Sequence, residues 1–283
     1  MLVLSNPGAQ IYVPDGVEAD AAITRTTHLA VGAHPDDIPI MASDGIVGCY
    51  GERDKWFLGI TVTDGSGGPR GGPYRDLSEE EMRAARMEEE RKVAALGKYG
   101  AAVLLDYQSS VVRDAASDSV VSDLASLIGQ ARPDVLYTHN LADKHDTHVA
   151  VALRALAAIR SLPVGARPTA LYGCEVWRDL DWMVDEDKVA FDATTHADLV
   201  AALLGAYDTQ LAGGKRFDLA TAGRRLAHAT FSDPHGSETP GASVYAMDLT
   251  PLILDDSLSA VAHVDARIDR MQRETAARIR RHQ

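Results

Sequence analysis

Residues 28–37 read HLAVGAHPDD, and the fold turns on how this stretch is understood. HLAVGAH is a short apolar run ending in small residues, the pattern of a strand covered on both faces that runs straight into a loop. WFLGITVT (56–63), AAVLLDY (101–107) and PDVLYTH (133–139) repeat the pattern. Helical stretches separate and follow them: LSEEEMRAARMEEERKVAALG (77–97), SDSVVSDLASLIGQA (117–131) and HVAVALRALAAIRSL (148–162). Ser78 with Glu81 three residues on forms a capping box, and Gly97 stops the first of these helices. DIPIMASDGIVGCY (37–50) reads as a poor helix interrupted by Pro39 and Gly45. Strands alternating with helices from 28 to 162 predict right-handed βαβ crossovers. The expected class is therefore α/β: a Rossmann-like, doubly wound, mostly parallel sheet flanked by helices. Ligands of such sheets gather beyond the carboxyl ends of the strands, here Ala33-His34, Thr63-Asp64, Asp106 and Thr138-His139.

Outward from this core, residues 1–27 are punctuated by Pro, Gly and Asp without a clear period and read as an N-terminal arm. Residues 28–283 read as a single domain, with catalytic loops within 28–162 and a C-terminal elaboration, 163–283, that shapes the substrate pocket. SLPVGARP (161–168) is the best seam between the two parts. ALYGCEVW (170–177) reads as a strand, 196–211 and 218–231 as helices, 232–243 as a loop, and 257–283 as an amphipathic helix with a basic end.

The 283 residues are 46% hydrophobic and 24% charged, an ordinary globular composition. Lys and Arg number 28 against 41 Asp and Glu, a net charge of −13 that repels phosphate backbones and argues against a nucleic-acid binder. Cys49 and Cys174 are too few for a disulfide framework and read as buried packing residues. No apolar run approaches the roughly 20 residues needed to span a bilayer, so no membrane partner is expected. The start of the chain has no basic segment followed by an apolar one, which makes the cytoplasm the simplest location. The basic end RIRRHQ suits a solvated helix terminus or a contact between copies in a homo-oligomer.

Among ten histidines, His145 and His148 stand at i and i+3 and face the same way if a helix begins there. Catalytic Zn²⁺ takes three His, Asp or Glu ligands and keeps one position for water. His34 and Asp37, from the loop after the first strand, complete such a set with His148, for one Zn²⁺ per chain with other divalent ions admissible. Asp36 and His145 are left beside the metal, a carboxylate to take a proton from water and an imidazole to face a substrate carbonyl. Each motif alone has a plainer reading: HPDD as a turn with a capping Asp, and HDTH as a solvated helix start. Their joint placement at two strand ends favours the metal site.

GSGGPRGG (65–72) fits neither G-x-G-x-x-G nor a P-loop, so it reads as a flexible loop shaping the pocket. Asp64 and Arg70 flank it as candidate contacts to substrate hydroxyls or an anion. No G-x-S-x-G is present to supply a serine nucleophile. Trp177, Asp181 and Trp182 form an aromatic–acidic cluster suited to sugars, although large aromatics more often pack cores.

At AHPDD (33–37), TDGSGGPR (63–70), RMEEERKVAALG (86–97), RPDVLYTH (132–139) and DKHDTH (143–148) the chain resembles the LmbE-like or PIG-L de-N-acetylases, over roughly residues 28–215. AYDTQ (206–210) resembles the family's later H-x-S-Q segment, with Tyr207 in place of the His. The resemblance implies His34, Asp37 and His148 as zinc ligands, Asp36 as the base that later protonates the leaving amine, His145 as the oxyanion partner and Arg86 as a substrate contact. Two departures stand out. Ile38-Pro39 follow the HPDD motif where the family carries a Glu, and Thr147 replaces an Asp, leaving Asp143 or Asp146 to orient His145. The implied activity is zinc-dependent hydrolysis of an N-acetyl or related N-acyl amide on an amino-sugar-type small molecule. The other reading is a non-catalytic protein that binds a sugar-like ligand on the same scaffold.

Overall fold

A computed structural model describes residues 2–68, 70–237 and 240–283. Among them, eight strands form one sheet: β1 (Gln10–Tyr12), β2 (His28–Gly32), β3 (Phe57–Thr63), β4 (Ala101–Tyr107), β5 (Val135–His139), β6 (Ala170–Cys174), β7 (Lys188–Asp192) and β8 (Ser243–Asp248). Their order is β1-β4-β3-β2-β5-β6-β8-β7. Strands β4, β3, β2, β5 and β6 pair in parallel, while β1, β8 and β7 add antiparallel edges. The chain steps outward from β2 to β4 and returns to place β5 on the other side of β2. Strand order therefore reverses between β2 and β5, which opens a crevice at their carboxyl ends.

The apolar runs are explained by burial on both faces. Leu29, Val31, Leu58 and Ile60 pack with Leu124, Leu127, Val151 and Ala155 of the helices Asp118–Ala131 and Asp146–Ser161. Ala30, Phe57 and Tyr137 point the other way, toward Val93 and Ala94 of the helix Glu79–Leu96 and Leu203 of the helix Ala197–Gly205. The capping box of Ser78 and Glu81 is present.

Several stretches differ from their sequence reading. Residues 1–27 contribute β1 and a helix, Ala19–Thr24, whose Ala22 and Ile23 join the core. The Asn6 side chain also donates to the carbonyls of Leu105 and Asp106, tying the segment to the end of β4. A three-residue strand is too short to display a period of two, so an arm was all the sequence could suggest.

Residues 37–50 form two short helices, Asp37–Met41 and Ser43–Cys49, and the break falls at Ala42. Pro39 sits in a first turn, where its missing N–H has no intrahelical acceptor to satisfy. Gly45 lies inside the second helix because a Cβ there would stand 2.6 Å from the Tyr137 ring. The helical stretch 196–211 is likewise broken at Ala206-Tyr207, giving Ala197–Gly205 and Asp208–Ala212.

The edge strand β7 and its inner neighbour β8, which pairs with both β6 and β7, carry no long apolar run and lie beyond what patterning revealed. The terminal helix Ala260–Arg280 buries only Arg267 among its residues. Both cysteines are buried and free. Among the described residues no helix is long and apolar enough to cross a membrane. Pro69 of the Gly-rich loop and Glu238 and Thr239 of the 232–243 loop lie outside the described residues.

Replacing Gly45 with Ala should lower stability by about 1–3 kcal/mol through overpacking against Tyr137, outweighing the gain in helix propensity of about 1 kcal/mol. A drop in the urea unfolding midpoint checks this, and an unchanged or higher midpoint would show that the ring yields freely.

Candidate metal and substrate site

The loops after β2 and β5 meet at the crevice. The first folds back on itself: the His34 backbone N–H donates to Asp37 Oδ2 at 2.7 Å as the helix Asp37–Met41 begins. In the second, His145 is the N-cap of the helix Asp146–Ser161 and His148 lies in its first turn. The expected i, i+3 relation holds, and the two rings stack with centroids 4.5 Å apart.

Three donor atoms converge. His34 Nδ1 lies 3.2 Å from Asp37 Oδ2 and 3.1 Å from His148 Nε2, and His148 Nε2 lies 3.4 Å from Asp37 Oδ2. Ligands held about 2.0–2.1 Å from a tetrahedral zinc ion would be separated by about 3.3 Å, so the triangle has the size such an ion requires. Behind it, Asp143 Oδ2 lies 3.4 Å from His148 Nδ1 and also accepts the Trp177 N–H, while Asp143 Oδ1 accepts the His145 N–H. The carboxylate behind a ligating imidazole fixes its tautomer and orientation. Asp143 thus holds the His148 ring and the His145 backbone, and Asp146 points to solvent.

His139, to which the sequence assigned no role beyond a strand end, is buried beside this triangle. Its Nε2 is 3.4 Å from Asp37 Oδ2 but accepts the Ala33 N–H at 2.9 Å. Its lone pair is thereby engaged, which favours His34 over His139 as the third ligand. Its ring stacks on His148 at 3.9 Å.

The electrostatics divide the two neighbouring aspartates. Burial raises the Asp37 pKa, but His148, His139 and His34 outweigh it and hold this carboxyl well below its usual range. Burial, with Asp37 alongside, pushes Asp36 up to about 7. Burial lowers His148 to about 4, against the pull of Asp37, so its imidazole is neutral near pH 7 and its lone pair is available. Burial and then His34 lower His145. Among the described residues no hydrogen bond engages its side chain, and its Nδ1 is buried without a partner.

The helix Glu79–Leu96 supplies the floor. Its buried stripe of Met82, Arg86, Glu89, Glu90 and Val93 includes three charged residues, which a purely structural helix would turn outward. Glu89 accepts the Thr209 N–H and Oγ1–H, each at 2.7 Å, and so anchors the start of the helix Asp208–Ala212. The next residue, Gln210, donates from Nε2 to Asp36 Oδ1 at 3.3 Å. Glu90 accepts the Thr61 hydroxyl at 3.1 Å. The Gly-rich loop lies directly on Arg86: a Cβ on Gly68 would fall 2.4 Å from Arg86 Nη2.

The result is a cavity of about 540 Å³ lined by His34, Asp36, Asp37, Asp64, Arg86 and His145, with Thr147, Trp177, Gln210, Lys215 and Phe217 among its other walls. His148 stands just behind the wall. Arg70 is not among the lining residues: its Nη1 donates to the Leu77 carbonyl at 2.6 Å, although its charge acts on Arg86. The aromatic–acidic cluster divides. Trp177 faces the cavity with Lys215 above its ring and Phe217 against its edge, whereas Trp182 packs on the core and Asp181 pairs with Lys188. Gln210 was hinted at only by the AYDTQ segment, while Ser109, Arg113, Lys215 and Phe217 carry no sequence signal.

Residues 29–159 match the family model PIG-L: GlcNAc-PI de-N-acetylase. Solved structures share the fold. The conserved protein TT1542 from Thermus thermophilus is 17% identical, with 83% of this chain and 99% of that one covered at a TM-score of 0.63. The N,N'-diacetylchitobiose deacetylase from Pyrococcus horikoshii is 15% identical, with 81% and 86% covered at 0.63. The 4-carboxy-2-hydroxymuconate hydratase GalB from Pseudomonas putida is 16% identical, with 79% and 96% covered at 0.58. No curated protein matches the sequence.

Alanine at His148 or Asp37 should abolish stoichiometric Zn²⁺ uptake, measured by metal analysis after equilibrium dialysis. Asp143→Ala should weaken uptake by about 10–100-fold with the fold retained. Full metal content in the His148 variant would refute the ligand set.

Proposed function

We infer, for a chain whose residues 29–159 belong to the PIG-L family, that it is a metal-dependent N-deacetylase acting on an N-acetylated amino-sugar-type small molecule. The supporting observation is the triangle of His34, Asp37 and His148, with an uncommitted imidazole and a carboxyl poised near neutrality on the same cavity wall. A divalent ion held by these three residues, zinc being the best fit to the donor set, would supply Lewis acidity toward the amide carbonyl and the attacking water.

The remaining steps belong to side chains. Asp36 takes a proton from the attacking water and delivers it to the leaving nitrogen. A group titrating near the working pH can serve in both directions. Gln210 fixes the Asp36 carboxyl while this happens. The His145 side chain, free of protein hydrogen bonds among the described residues, faces the oxygen on which negative charge develops. Trp177 offers a ring face for a sugar to stack on. Water and amide are consumed, and a free amine and acetate leave.

The zinc-loaded chain should release acetate from one or more members of a panel of N-acetyl amino sugars, lose that activity on chelation and regain it with Zn²⁺. Asp36→Asn should lower kcat by about 10²–10⁴-fold with metal content intact. His145→Ala should lower it by about 10²–10³-fold. A fully metallated chain that binds members of the panel without releasing acetate would refute the deacetylase reading and leave a sugar-binding protein in its place.

A further inference from the structure

We propose that the cavity contains an anion-binding subsite centred on Arg86, so that the ligand carries a carboxylate or phosphate group in addition to its N-acetyl group. The N-acetyl group rests on the deacetylase reading, whereas the anion subsite does not.

Arg86 is 1% exposed, yet among the described residues no hydrogen bond or ion pair engages its guanidinium, and Nε and Nη2 are buried without partners. A buried, unpaired charge is unfavourable unless something compensates it. Burial lowers the Arg86 pKa, and Asp36, Glu89 and Asp64 oppose that from a distance. Those carboxyls are committed elsewhere: Asp36 accepts from Gln210, Glu89 from Thr209, and Asp64 from the Ser66 N–H and hydroxyl. They offset part of the cost of burial without occupying the donors, and the nearby Arg70 charge works against them. The fork is left pre-organised and facing the cavity, the arrangement that recognises a carboxylate or phosphate through paired N–H···O bonds.

The surroundings agree. Arg113 and Lys215, both exposed, also line the cavity, so three cations gather at one opening of a chain whose net charge is −13. Such a local reversal of sign concentrates anions and steers their approach. The glycine at 68 lets the loop close over the guanidinium, shielding the subsite from water and strengthening its interactions.

The first arm of the test needs no catalysis. Inorganic phosphate and propionate are titrated calorimetrically into the metal-free full-length chain and into Arg86→Gln, Arg86→Lys and Arg113→Ala. The wild-type chain should bind at least one of the two anions, Arg86→Gln should bind it at least tenfold more weakly, and Arg86→Lys should lie between. Arg113→Ala, an exposed position at which folding is not at issue, should weaken binding severalfold at low salt. Absence of binding to the wild type, or unchanged affinity in both Arg86 variants, would overturn the proposal.

The second arm compares kcat/KM of the zinc-loaded chain for N-acetylglucosamine, N-acetylglucosamine 6-phosphate and N-acetylmuramic acid. A preference of tenfold or more for the phosphate or the carboxylate compound identifies the source of the anion, and Arg86→Lys should reduce it. Equal turnover of all three would overturn the proposal and leave the deacetylase reading standing. Arg86-dependent anion binding with no turnover of any compound would sustain the subsite while the deacetylase reading fell.

Discussion

The Asp37 carboxylate is the constraint on which the site depends. It is buried at the end of a parallel strand, where an uncompensated charge would be strongly unfavourable. Its Oδ2 has imidazole nitrogens of His34, His139 and His148 at 3.2 to 3.4 Å. One of these comes from its own loop and two come from β5 and the helix that follows. These nitrogens reach Asp37 only because β2 and β5 are neighbours, and they are neighbours because the strand order reverses between them. Topology and the grouping of these side chains are thus one requirement. The crevice brings the imidazoles within reach, and the carboxylate gives them a common focus.

A second constraint comes from the helix Glu79–Leu96, which presents charge where a helix of this position would ordinarily present apolar residues. Glu89 anchors the helix that carries Gln210, and Gln210 in turn holds Asp36. The geometry beside the triangle of His34, Asp37 and His148 is therefore referred back to a well-capped helix rather than to the loops alone. Sites supported in this way keep their precision while the loops around them adapt.

How much of this was legible follows from sequence distance. The parallel core could be read because each strand is an unbroken apolar run. The meeting of His34, Asp37 and His148 was legible because the first two directly follow β2 and the third lies in the first turn of the helix after β5. Gln210 and Lys215 could not, since they reach the cavity from a region where helices are short and broken at Ala206-Tyr207. Asp143 and Asp146 are equally close to the histidines in sequence, and only the turn that folds Asp143 beneath His148 separates them. Arg70 and Arg86 pose the same problem. Arg70 lies in the Gly-rich loop and Arg86 beneath it, but Arg70 donates to a backbone carbonyl and Arg86 has no hydrogen-bond partner among the described residues. Strand β1 was hidden by its brevity. Strand β7 was hidden because an edge strand needs no long apolar run, and β8 because its apolar stretch at 244–247 is short.

The negative charge of the whole chain and the character of its cavity run in opposite directions, and Asp36 and Asp37 explain how both can hold. Two adjacent buried carboxyls do not readily ionise together. The imidazoles assign the negative charge to Asp37, and Asp36 is driven toward its neutral form by burial and by that neighbour. Asp64 turns its carboxylate onto Ser66. Of the carboxyls lining the cavity, Asp37 faces imidazoles, Asp36 is pushed up to about 7 and Asp64 is occupied locally. Among the described residues the guanidinium of Arg86 has no such match. An anionic group entering the cavity consequently meets a site whose own negative charges are already accounted for and whose buried positive charge is not.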